Sequence, residues 1–142
     1  MDFASIRVLV AEDMEEMRSI LVRLLQALGF KQVRAVRNGE EAWLLLQQVP
    51  DAFDLVLCDW NMPRMTGREL LERVRSDAQL APLPFVMITG ENSTKQVHSA
   101  ISGGVTDFIL KPFSAAQLEA RITRVLNQSD APPGLQVLPP ES

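Results

Sequence analysis

Several residue types are scarce in this 142-residue chain, and each scarcity removes a class of protein. The chain has one cysteine, Cys58. It can form no internal disulfide and no Cys-rich zinc site, which points to a reducing compartment. No apolar run approaches the ~20 residues a membrane-spanning helix needs. Met1-Asp2-Phe3-Ala4 lacks the basic n-region and long apolar h-region of a signal peptide. A basic patch is missing too. The formal net charge is −4, and Lys and Arg are interspersed with acids, as in Arg64-Met65-Thr66-Gly67-Arg68-Glu69. That composition predicts no direct nucleic-acid contact, no membrane insertion and a cytoplasmic location.

What is present is a 46% apolar chain of one-domain size, long enough to bury a core unaided. Short apolar runs alternate with amphipathic stretches. Arg7–Ala11, Asp54–Cys58, Phe85–Thr89 and Asp107–Leu110 read as strands, with Val33–Val36 a weaker fifth. Their near-continuous apolarity suits a parallel sheet covered on both faces. Between the runs, Met14, Met17, Leu21, Leu24, Leu25 and Leu28 share one helical face, and Gly29 is the expected stop. Ala42–Val49, Leu70–Val74, Val97–Ile101 and Leu118–Leu126 supply four further helices. Each of the five has an N-terminal capping signal: Asp13/Glu16, Asn38/Glu41, Thr66/Glu69, Ser93/Gln96 and Ser114/Gln117. Five βα units in succession predict a parallel sheet with right-handed crossovers and a ligand site at the carboxyl ends of its strands. From Ser129 the composition changes to SDAPPGLQVLPPES, so residues 1–128 are expected to form the domain and 129–142 a proline-rich flexible tail or linker. Leu135, Val137 and Leu138 could instead dock.

The strand ends carry the chemistry. Strand one ends in Glu12-Asp13, strand three in Asp59, strand four in Thr89 and strand five in Lys111. Three carboxylates at ~5 Å and an effective dielectric of ~20 repel by roughly 3 kcal/mol per pair. Either some are protonated or a cation lies among them. Hard oxygen donors without His or Cys favour Mg²⁺, with Mn²⁺ an alternative. A carboxylate nucleophile beside Mg²⁺ is the chemistry of an aspartyl phosphate, with Lys111 and the Thr89 hydroxyl available to phosphoryl oxygens.

Asp59-Trp60-Asn61-Met62-Pro63 with Gly67, the pair Glu12-Asp13, Thr89, and Lys111-Pro112-Phe113 together resemble the receiver domains of two-component response regulators. The single-domain chemotaxis type is the nearest in phrase, and the likeness spans about residues 5 to 127. The resemblance implies an α/β, flavodoxin-like, doubly wound fold: a five-stranded parallel sheet in the order 2-1-3-4-5 with five helices on both faces. It implies that Asp59 accepts a phosphoryl group from a histidine kinase or histidine phosphotransfer protein. It also implies that Glu12, Asp13, Asp59 and the Asn61 carbonyl hold Mg²⁺, and that Thr89 and Lys111 contact the phosphoryl group. Phe108 matches the aromatic switch position, and Asn61 and Glu91 match positions that tune phosphoryl lifetime. The Lys111-Pro112 bond is expected to be cis. The output would be a reshaped surface of helix four, strand five and helix five, read by a downstream protein or by an output domain outside this chain. Such a domain is no conventional enzyme; it catalyses only its own phosphorylation and dephosphorylation.

The chain departs from the common pattern in three places. Glu12 replaces a frequent Asp, Phe108 lacks a tyrosine hydroxyl, and Gly103-Gly104 is expected to loosen the end of helix four. Plainer readings stand beside the functional ones. Phe108 is equally a static core residue, Trp43 and Trp60 read as packing residues, Cys58 as an inert core thiol, and His98 as surface or partner-facing. A dehalogenase-like phosphatase would need a second acid two residues after the nucleophile, where this chain has Asn61. A degenerate receiver would lack one of the required residues.

Overall fold

A computed structural model describes residues 2–90 and 94–127, without the side chains of 94–96. Glu91, the Ser93/Gln96 cap and the tail lie outside the described residues. Five parallel strands, β1 (Arg7–Ala11), β2 (Gln32–Val36), β3 (Leu55–Asp59), β4 (Phe85–Thr89) and β5 (Asp107–Leu110), line up in the order β2-β1-β3-β4-β5. Helices α1 (Glu15–Leu28), α2 (Gly39–Gln48), α3 (Gly67–Ser76), α4 (Thr94–Ser102) and α5 (Ala115–Asn127) follow them in turn. The expected fold class is the one observed. A short 3-10 helix at Phe3–Ser5, not anticipated, stacks Phe3 on Phe30 with ring centroids 4.4 Å apart.

The apolar runs are continuous because alternate residues serve two cores. Leu9, Val56, Cys58, Phe85, Met87 and Phe108 join Leu46, Leu70 and Val74 of α2 and α3. Val8, Val10, Leu55, Leu57, Ile88 and Ile109 join Leu21, Leu25, Leu118 and Ile122 of α1 and α5. Both β3 and β4 are buried along their whole length. Burying one such aliphatic side chain contributes about 2 kcal/mol.

The helix ends mostly follow their signals. Thr66 and Glu69 form a reciprocal capping box, as do Ser114 and Gln117. Asn38 caps α2, but the Glu41 side chain turns to Arg37. Gly29 ends α1 in the left-handed conformation at φ 112°, which a residue without Cβ adopts at no steric cost. The cap expected from Asp13 is absent. Met14 occupies the cap position with no side-chain bond, and the Met14 amide donates to the Glu12 carboxylate at 3.2 Å. Gly103-Gly104, expected to loosen the end of helix four, meets side chains of α3. Gly104 sits at φ +89° with its carbonyl bound by Arg75 at 2.7 Å, and a Cβ on Gly103 would lie 2.8 Å from the Arg68 guanidinium. Both glycines thus lie against side chains of α3.

Candidate phosphoacceptor site

Sheet register brings the acidic residues together. Ala11 pairs with Cys58, so the next residues, Glu12 and Asp59, lie side by side. Thr89 pairs with Leu110, so Lys111 follows at the same edge. Alternation continues the α1/α5 face through Glu12, Asp59 and Lys111, and the α2–α4 face through Thr89.

Ligand oxygens of Glu12, Asp13 and Asp59 lie within 4.8 Å of one another. Glu12, Asp59 and Thr89 are buried, and Asp13 is exposed. The Lys111 ammonium bridges Glu12 Oε1 at 3.1 Å and Asp59 Oδ2 at 3.3 Å. Its bond to Pro112 is cis, as expected. Asp59 Oδ1 receives a long contact, 3.4 Å, from the Asn61 amide. Three carboxylates therefore face one ammonium.

The electrostatics register that imbalance. Burial first, then hydrogen bonding and repulsion from Asp59, push the Glu12 carboxyl up to about 7. Burial opposes the charge of Lys111, but Asp59 and Glu12 outweigh it and hold the ammonium above its ordinary value. Burial, reinforced by the two acids, raises the Cys58 thiol and keeps it inert. A small hard dication fits this donor set: every side-chain ligand is a carboxylate oxygen, and excess negative charge is already concentrated there. A polar groove of about 530 Å³, lined by Asp13, Arg37, Asn38, Pro63 and Arg64 among others, opens beside the cluster.

The structure thus brings Glu12, Asp13, Asp59 and Lys111 into one cluster, with Thr89 at the adjacent strand end. Phe108 is buried in the α2–α4 core, with the Arg121 guanidinium 5.8 Å over its ring. Trp43 and Trp60 pack partly buried against the same core, as expected, and His98 is exposed. Two supports emerge whose roles the sequence did not show, although Gly67 belongs to the motif around Asp59. Gly67 lies so close to Asp59 that a Cβ there would fall 2.3 Å from the Asp59 carbonyl oxygen. Arg18 donates to the Glu12 carbonyl at 3.0 Å and to the Asp13 carbonyl at 3.5 Å. The glycine carries no chemical signal, and the arginine reads as one more charge on a helix.

Comparison with known proteins agrees with this geometry. The family model described as response regulator receiver domain matches residues 8–123. The chain is 36% identical over 124 residues to chemotaxis protein CheY1 of Helicobacter pylori, covering 87% of this chain and 99% of that protein. It is likewise 36% identical over 124 residues to chemotaxis protein CheY-3 of Vibrio cholerae, covering 87% and 94%. The solved structure of chemotaxis response regulator CheY4 of Vibrio cholerae matches with a TM-score of 0.77 at 32% identity, covering 84% of this chain and 98% of that one.

Proposed function

The chain belongs to the response regulator receiver domain family, and on that premise we propose that it is a phosphorylation-driven switch in which Asp59 is the phosphoacceptor. The observation that carries this reading is the single cluster of Glu12, Asp13 and Asp59 oxygens, bridged by Lys111, at the end of the central strand. The donor is a phosphohistidine on a kinase or phosphotransfer protein. An Asp59 carboxylate oxygen attacks phosphorus, the O–P bond forms as the P–N bond breaks, and the imidazole leaves with the electron pair. Lys111 moves its ammonium from the two carboxylates to a phosphoryl oxygen, offsetting the charge that Asp59 gives up. The Thr89 hydroxyl donates to a second phosphoryl oxygen. Glu12, Asp13, Asp59 and the Asn61 carbonyl would hold Mg²⁺, which when bound neutralises charge developing on the phosphoryl oxygens. Hydrolysis of the acyl phosphate resets the domain, and Asn61 and Glu91 are the residues that tune its rate.

The output is a population shift at the surface of α4, β5 and α5. A groove of about 340 Å³ lined by Phe108, Pro112, Phe113, Gln117 and Arg121 lies on that surface and supports the reading. The Phe108 ring is already buried here, so phosphorylation would stabilise an inward ring rather than create one. Incubation with a small phosphodonor and Mg²⁺ should give a wild-type mass increase of one phosphoryl group. The reading fails if no adduct forms, or if Asp59→Asn acquires the same adduct.

A further inference from the structure

We propose that Arg18 is a positioning residue that sets the cation affinity of the acid cluster without touching the cation; this rests on the reading of that cluster as a Mg²⁺ site. Consecutive strand residues point to opposite faces. Glu12 and Asp13 nevertheless converge on Asp59, so the chain must leave strand geometry between them. The turn that achieves this removes the Glu12 and Asp13 carbonyls from the sheet ladder, and among the described residues neither finds a backbone donor. Arg18, on the first turn of α1, supplies the donor for both, at 3.0 and 3.5 Å. The same turn is tied in the opposite sense by the Met14 amide, which donates to Glu12 Oε2. The Glu12 carboxylate and the Arg18 guanidinium therefore fasten one short segment from its two polar ends, and α1 becomes the brace of the acid pair.

Among the described residues Arg18 forms no ion pair. Its charge lies near enough to help lower the Glu41 carboxyl, but its hydrogen-bond partners are two backbone oxygens. Second-layer groups that orient metal ligands commonly change affinity by 10- to 100-fold when removed. A bare positive charge near a dication site acts in the other direction, because removing it strengthens cation binding. The sign of the change on removal therefore separates positioning from charge.

The test is Mg²⁺ titration of Arg18→Ala, Arg18→Gln, Arg18→Lys and wild type, followed by fluorescence of Trp60, the residue after Asp59. Arg18→Ala should weaken binding by about 10-fold. Arg18→Lys, which keeps a donor, should recover most of that loss, and Arg18→Gln, a neutral donor, part of it. The phosphorylation rate at saturating Mg²⁺ should stay within about twofold of wild type, separating ligand placement from the transfer step. Equal or tighter binding by Arg18→Ala overturns the proposal, as does a lysine variant no better than alanine. Binding of no cation by wild type would instead remove the reading of the cluster itself. The apo variants should match wild type in thermal unfolding; a loss of stability that tracks the loss of affinity across the three would also overturn it.

Discussion

Two buried aspartates at opposite ends of the sheet have opposite surroundings. Asp107 opens β5 and is held by two arginines of α5, with Arg121 at 2.9 Å on one oxygen and Arg124 on the other. It also accepts from the Phe108 amide at 2.8 Å. Asp59 closes β3, shares one ammonium with Glu12, and accepts a long contact from the Asn61 amide on its other oxygen. Asp107 is saturated with donors and serves as an anchor between β5 and α5. Asp59 lies among acids, Glu12 and Asp13, an arrangement that costs stability. Burial is common to both; the balance of charge separates the structural aspartate from the proposed phosphoacceptor.

The contrast can be broken most completely at Asp59. Asp59→Asn should abolish the phosphoryl adduct and, by relieving repulsion on Glu12, raise the unfolding free energy of the cation-free protein by about 1 kcal/mol. Denaturant titration checks the second outcome. Gly67→Ala comes next. Its Cβ would meet the Asp59 backbone oxygen, which cannot give way as a flexible side chain would. A displacement of Asp59 approaching 1 Å should slow phosphorylation by about 100-fold, as read by the rate of adduct formation. Asp107→Asn should do the reverse of Asp59→Asn, keeping the adduct while lowering stability by about 2 kcal/mol through weakened charged hydrogen bonds.

A smaller effect follows from Glu12. Its folded carboxyl titrates at about 7, above its ordinary value of 4.5. Between those values the folded state binds more protons than the unfolded state. Its stabilising contribution is therefore full below about pH 4.5 and is lost as pH rises through about 7. Saturating Mg²⁺ displaces that proton and should flatten the loss. Thermal unfolding across this window, with and without Mg²⁺, measures both.

Much of this was legible before any coordinates. The limits of β1, β4 and β5 match the apolar runs Arg7–Ala11, Phe85–Thr89 and Asp107–Leu110 to the residue, because strands buried on both faces leave no polar gap. Glu12, Asp59 and Lys111 were legible as strand ends, and parallel register brings strand ends together. The α1 cap was not. Asp13/Glu16 has the spacing of a capping box, but Asp13 is drawn into the acid cluster and the Glu12 carboxylate takes the Met14 amide instead. Asp107 read only as a strand residue, since its partners lie 14 and 17 positions away on α5. The arginine contacts of Gly103-Gly104 come from α3 and carry no local signal. In each case the deciding contact is one that local spacing does not encode.

The most direct test is to locate the phosphoryl group. Wild type and Asp107→Asn would be treated with a small phosphodonor and Mg²⁺, and the acyl phosphate reduced with borohydride and mapped by peptide mass spectrometry. The label should fall on Asp59 in both proteins. A label on Glu12, Asp13 or Asp107, or an unlabelled Asp59 in a phosphorylated chain, would contradict the assignment.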